Sequence, residues 1–290
     1  MARGQDRRRG RTLVVAAVVI LIAACTSGLP YTQPTQPQTQ PMPQAVAEPL
    51  PPTPTATVSS STSVPTSAKP HPKTSPRRPM SHPTARPSGS LPLGFSIGSA
   101  KQVITVVAAW AGSTTAVLQA WTAVGTGRWV RHGSAILAHV GVQGLSTSPS
   151  ESRSATPIGS FTLTTAFGYY GDPGTRLPYL KTTPADWWIS QSGPLYNTHQ
   201  RCSSSCNFVQ GWPNEHLYYE TPAYDYAVVI DYNTANTGKV TQGAGSAFFL
   251  HVTDGSATTA GCVAVPQASL VSIMQWLNPA DHPRILIGIG

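Results

Sequence analysis

The chain has 290 residues, enough for one or two domains, and a formal net charge of +8. That charge sits at one end: Arg3, Arg7, Arg8, Arg9 and Arg11 face only Asp6, and Lys69, Lys73, Arg77, Arg78 and Arg86 face only Glu48. From residue 97 onward nine Lys/Arg meet nine Asp/Glu, so the foldable part offers no net basic charge to neutralise phosphates, and a nucleic-acid partner is set aside.

The N-terminus reads as a signal peptide over residues 1–24. A basic stretch ends at Arg11, and the apolar run from Thr12 to Ala24 is too short to span a bilayer comfortably as a helix. It closes with Ile22-Ala23-Ala24-Cys25. Small residues before a cysteine resemble the bacterial lipobox, which implies cleavage before Cys25 and acyl chains on its sulfur. The alternative is an ordinary secretory signal with an incidental cysteine. Two or three acyl chains, at roughly 0.8 kcal/mol per buried methylene, would anchor the protein stably to a membrane. Arg7-Arg8-Arg9 leaves a twin-arginine export route open.

Residues 25–95 read as a lipidated cysteine followed by a linker. The stretch is dense in Pro, Thr, Ser and Gln, and no aromatic residue lies between Tyr31 and Phe95. Such a composition cannot bury enough apolar surface to fold. Proline extends it, by up to about 3.1 Å per residue in polyproline II.

Residues 96–290 read as one folded domain, mostly β. Val103–Val107 and Thr115–Trp121 are strand candidates, rich in β-branched or aromatic residues. Further candidates are Trp129–Arg131, Ala135–Val140, Gly159–Ala166, Tyr226–Tyr232, Ala247–Val252 and Arg284–Gly288. One helix is expected. It starts at Pro266, carries Leu270, Val271, Met274 and Leu277 at helical spacing, and stops at Asn278-Pro279.

With Cys25 lipidated, Cys202, Cys206 and Cys262 remain. Cys202 and Cys206, in the short polar loop Arg-Cys-Ser-Ser-Ser-Cys-Asn, are expected to pair as a disulfide. A metal site is the alternative, but no second ligand pair with suitable spacing follows, so no metal is expected. Cys262 is then the odd thiol. It follows Gly261, and His251, eleven residues before it, lies near the end of a predicted strand. An ordinary thiol is a poor nucleophile at neutral pH until an imidazole or a helix N-terminus favours its thiolate. His251 can act as the base, and the expected helix at Pro266 can place its positive end nearby. Gly261 allows close backbone approach, so that the amides of Gly261 and Cys262 can hold an oxyanion. The same residues also suit a small buried hydrophobe beside a hydrogen-bonded histidine.

His251 with Thr259-Ala260-Gly261-Cys262-Val263 resembles the L,D-transpeptidase (YkuD-type) catalytic domain. Thr156-Pro157-Ile158-Gly159-Ser160-Phe161 is similar to that family's upstream Thr-Pro-x-Gly-x-Phe segment. The likeness runs from about residue 130 to the C-terminus. It implies an L,D-transpeptidase-like β-sandwich with a short helix after the cysteine, acting on peptidoglycan stem peptides. Cys262 would attack the carbonyl of a tetrapeptide donor, expel D-alanine and form a thioester; a neighbouring stem amine would then complete a 3→3 cross-link. His251 would move the proton, oriented by a backbone carbonyl or by Asp254. The expected location is extracytoplasmic, anchored through Cys25 and reaching into the cell wall. No cofactor is implied. Two departures stand out: Ala260 replaces the usual histidine before the glycine, and Ala264 replaces a polar residue often found two places after the cysteine.

Thr259, Trp187, Trp188 and Tyr196 are candidates to line a substrate cleft, the aromatic three also suiting a core. Asp186, Asn197, Glu215 and His216 could position substrate, but stabilising loops fits them better, and His199 reads as a surface residue. A sortase-like enzyme is disfavoured by the short gap from His251 to Cys262, and an NlpC/P60-like peptidase by the order of the two residues. The rival of a different class is a peptidoglycan-binding envelope lipoprotein that kept the fold and lost activity.

Overall fold

The computed structural model describes residues 89–290. The signal-peptide and Cys25 readings lie outside those residues, as does nearly all of the linker. Strands make up 37% of the described chain and helical segments 9%, so the fold is mostly β.

The strands in chain order are β1 (Gln102–Ala108), β2 (Thr115–Gly125), β3 (Arg128–His139), β4 (Leu145–Ser146), β5 (Thr156–Pro157), β6 (Gly159–Thr162), β7 (Ala166–Gly168) and β8 (Tyr179–Lys181). They continue with β9 (Asp186–Ile189), β10 (Thr198–Arg201), β11 (Glu215–His216), β12 (Ala227–Val229), β13 (Phe249–Val252), β14 (Val263–Val265) and β15 (Arg284–Ile289). Helix α1 (Gln267–Trp276) starts after Pro266, as its spacing predicts.

Ten strands form one mixed sheet in the order β6-β15-β1-β2-β3-β14-β13-β12-β7-β8. Its two halves meet where β3 touches β14 through the single pair His139–Ala264. Alternation along the strands then builds the core. Ile104 and Val106 of β1, Leu118 of β2, Leu250 of β13 and Val263 of β14 share one buried cluster with Leu270, Ile273 and Met274 of α1. Both halves and the helix therefore enclose a common interior, as in a sandwich.

Two expected segmentations change. Trp129–Arg131 and Ala135–His139 belong to one long strand, β3, whose antiparallel ladder with β2 continues through His132 and, after an irregularity, resumes at Ile136. Gly159–Ala166 is broken after Thr162, since β6 pairs with β15 whereas Ala166 pairs with β12 at the far end of the sheet. The packed chain also begins before residue 96. Leu93 is buried beside Trp121, Trp129 and Leu286, with Phe95 against the same cluster.

The outer face of the β7-β12-β13-β14 half is covered by a small sheet, β10-β9-β11. Trp188 of that sheet, Leu217 and Tyr224 pack onto Phe167, Phe249 and Cys262. A disulfide joins Cys202 to Cys206 within this lobe, against Trp187, Ile189 and Phe208. Asp186 holds the lobe together. Its fully buried carboxylate accepts hydrogen bonds from Arg201 (Nε 2.8 Å and Nη2 3.0 Å), His199 (2.7 Å) and Thr183. His199 is accordingly tied to this carboxylate rather than free on the surface.

Candidate functional site

Register places the two chemically distinctive residues together. β13 and β14 run parallel, with Leu250 opposite Val263 and His251 opposite Ala264. Cys262 directly precedes β14, and the Phe249 N–H donates to its sulfur at 3.3 Å. Paired residues of adjacent strands share a face, and so do alternate residues of one strand. Phe249, His251 and Cys262 therefore all look away from the helix-covered core, beneath the small lobe.

The His251 ring is held in one tautomer and orientation. Its Nδ1–H donates to the Val252 carbonyl at 2.7 Å, which leaves Nε2 as the lone-pair nitrogen of the neutral ring. Burial lowers its pKa, with the Val252 bond and the charge of Asp254 acting the other way. Of the two orienting groups considered from sequence, a backbone carbonyl holds the ring, and Asp254 contributes at longer range. The Tyr224 ring packs edge-on beside the imidazole, centroids 5.7 Å apart.

The segment before Cys262 is held by hydroxyls and backbone. Thr259 Oγ1 donates to the Cys262 carbonyl at 2.7 Å and accepts from the Gly261 N–H at 3.1 Å. The Gly261 amide, expected to face an oxyanion, is thus committed inside the turn. Thr259 also exchanges backbone bonds with Val140 and Val142. Thr156 Oγ1 accepts from the Gly141 N–H and donates to the same Cys262 carbonyl. The upstream motif and the cysteine motif, 106 residues apart in sequence, meet at one carbonyl oxygen. Gly261 is required here: its φ is +139°, and a Cβ would lie 2.7 Å from the Phe248 ring.

The resting sulfur differs from expectation. Its S–H donates to the Ala247 carbonyl at 3.3 Å, and Ala247 is itself held by the Asn197 side chain, whose Oδ1 accepts from the Ala247 N–H at 3.1 Å. Burial and the nearby charge of Glu215 push the thiol pKa well up, against the opposing Phe249 N–H. The helix does not offset this. Three strand residues, Val263–Val265, separate Cys262 from Pro266, a distance of roughly 13 Å along the strand, and the influence of a helix terminus fades within about a turn.

Cys262 and His251 both line an open cleft of about 1330 Å³. Thr259, Gly261 and Trp187 line it as well, whereas Trp188 and Tyr196 do not. Trp188 is turned into the cluster under the lobe, its Nε1–H donating to Asn197 Oδ1. Tyr196 is buried and donates its hydroxyl to Glu151, a residue of the cleft wall. Ala260 is exposed on the cleft wall, and Ala264 is buried in the row between His251 and His139.

Sequence reasoning did not single out Tyr224 and read Glu215 as better suited to stabilising a loop. The Tyr224 hydroxyl donates to Glu215 Oε2, and both residues line the cleft. Burial raises the Glu215 carboxyl to about 7; the Tyr224 bond opposes this, and the charges of Glu220 and Glu151 add to it. No local pattern signals this pair, because β11 is two residues long and Tyr224 lies in a short 3-10 turn. Among the described residues no group of three or more His, Cys, Asp or Glu side chains is arranged to hold a metal ion.

No curated protein matches the chain. Residues 98–287 match the family model of the YkuD L,D-transpeptidase catalytic domain, which covers most of the chain and both motif segments. The chain belongs to the YkuD L,D-transpeptidase catalytic domain family.

Proposed function

We propose that this protein is a cysteine-dependent L,D-transpeptidase that joins peptidoglycan stem peptides through a thioester and forms 3→3 cross-links. The observation that carries the reading is the common face of His251 and Cys262 in one open cleft, with Nδ1 of the imidazole already satisfied by Val252. Family membership supplies the substrate class.

In the first half-reaction the Cys262 S–H gives its proton to His251 Nε2 as sulfur adds to the donor carbonyl. The C–N bond to the terminal D-alanine breaks, and the imidazolium returns the proton to the departing amine. The Cys262 amide is the nearest backbone donor for the oxyanion, since that of Gly261 bonds Thr259. In the second half-reaction a stem amine attacks the thioester, His251 takes its proton, and the C–S bond breaks to restore the thiol. The S–H must first leave the Ala247 carbonyl.

That inward, protonated thiol specifically favours a second reading, a peptidoglycan-binding lipoprotein without turnover. Intact-mass measurement of the full chain after incubation with a carbapenem separates the two. An adduct absent in Cys262→Ala and slowed in His251→Ala supports the enzyme; no adduct on the native chain supports the binding module. The signal peptide over 1–24, the lipid on Cys25, a linker from there to the start of the described residues and an extracytoplasmic location belong to the same proposal. Retention of the native chain in the membrane fraction, with release of Cys25→Ser, tests the anchor.

A further inference from the structure

Four carboxylates, those of Glu151, Glu215, Glu220 and Asp254, line the Cys262 cleft against a single guanidinium, Arg153, and no lysine. The cleft therefore favours a cation. Glu215 is the member most tightly built in. Its strand pairs with Trp188 on β9, and its Oε2 accepts from the Tyr224 hydroxyl. Its other oxygen receives no donor from the described residues, yet the residue retains surface on the cleft. Glu215 is only partly buried, so that oxygen is open to the cleft and can take a charged donor from a bound molecule. Tyr224 and Ala223 add apolar wall beside it.

We propose that Glu215, clamped by Tyr224, is a specificity-determining residue that receives the alkylammonium group of the donor peptide, on the residue whose carbonyl Cys262 attacks. The inference rests on the transpeptidase reading. An ammonium matches the open oxygen with a charge-assisted hydrogen bond, and a flexible methylene stem suits the wall formed by Tyr224 and Ala223. The cation belongs to the donor and not to the acceptor for a chemical reason. An acceptor amine must lose its proton to attack, and a carboxylate beside it would hold that proton in place. The donor ammonium does not react, so the same attraction carries no penalty. Its arrival also offsets the negative charge that disfavours the Cys262 thiolate, so a correct donor promotes ionisation of its own nucleophile.

The test uses the full chain and two synthetic peptides ending in D-alanine. They differ only at the penultimate residue, lysine in one and Nε-acetyl-lysine in the other. Acyl-enzyme formation is followed by intact mass, with a carbapenem as a third reagent. The lysine donor is expected to react with about tenfold higher kcat/KM or more in the native chain, and Glu215→Gln is expected to equalise the two donors. Tyr224→Phe, which keeps the charge but frees the carboxylate, is expected to reduce the preference, and serves if Glu215→Gln fails to fold. A native chain acylated equally by both donors overturns the inference, as does a full preference surviving in either variant; the transpeptidase reading then stands. A native chain that neither donor nor the carbapenem acylates removes that reading, and the inference with it.

Discussion

His251 on β13 and Cys262, directly before the parallel strand β14, are diagonal neighbours set two residues apart in register, because Leu250 lies opposite Val263. Since the side-chain period of a strand is two, a slip of one residue would send Cys262 to the helix-covered face. The pairing of β13 with β14 is therefore what makes His251 and Cys262 share one cleft.

The resting pair is expected to be a neutral thiol and a neutral imidazole. Burial and Glu215 raise the Cys262 pKa, and burial lowers that of His251. Alkylation of Cys262 by iodoacetamide should climb steadily as pH rises through and beyond the ordinary thiol range near 8.5. A rate plateau between about pH 5 and 7, the mark of a thiolate–imidazolium pair, would rule this out.

Gly261→Ala should damage both site and fold. The new Cβ meets the Phe248 ring at 2.7 Å and the Ala155 carbonyl at 3.2 Å, at a φ of +139°. A cost of about 1–3 kcal/mol is expected, lowering Tm by several degrees, with carbapenem acylation slowed at least about tenfold because the Thr259 turn is displaced. Native-like melting together with native-like acylation would show that the turn adapts.

Asp186→Asn should loosen the covering lobe. Burial works against the Asp186 charge, but Arg201, Thr183 and His199 overcome it and hold the carboxyl at about 2. Losing the charge leaves those donors poorly matched, for about 3 kcal/mol of stability. A lowered carboxyl pKa stabilises the fold above its unfolded value near 3.8 and loses that contribution as pH falls through about 2. Urea unfolding should thus separate the variant from the native chain at pH 6 and bring them closer at pH 2. A gap that does not depend on pH would point to lost packing instead.

Glu215 has the opposite sign. Its carboxyl binds a proton more tightly when folded, so its stability contribution is complete below about 4.5 and declines as pH rises to about 7. The decline amounts to at most about 3 kcal/mol. His251, with a lowered pKa, gains stability over a neighbouring range, so the difference between the native chain and Glu215→Gln isolates the carboxylate. That variant should gain on the native chain between pH 5 and 8 in urea unfolding; parallel curves would mean that Glu215 ionises without penalty.

Much of this protein is written locally. Short apolar runs rich in β-branched or aromatic residues are set by neighbours in sequence, so β1, β2, β13 and β15 are legible in the sequence. The same is true of α1, with Pro266 before it and Leu270 and Met274 at helical spacing. The order His251, Gly261, Cys262 with the upstream Thr156 segment also sufficed to mark the family. Contacts between distant segments were decided elsewhere. Whether Trp187 or Trp188 reaches the cleft depends on how the lobe seats on Phe249. That the sulfur meets the Ala247 carbonyl depends on Asn197, fifty residues from Ala247. The Glu215–Tyr224 pair exists because a two-residue strand and a single turn are brought beside Cys262. The sequence by itself determined the elements and the residues with reactive chemistry, because periodicity and functional-group identity are local properties. Only the tertiary structure decided the protonation of that chemistry, because desolvation and charge–charge coupling depend on what packs against each group, wherever it lies in the chain.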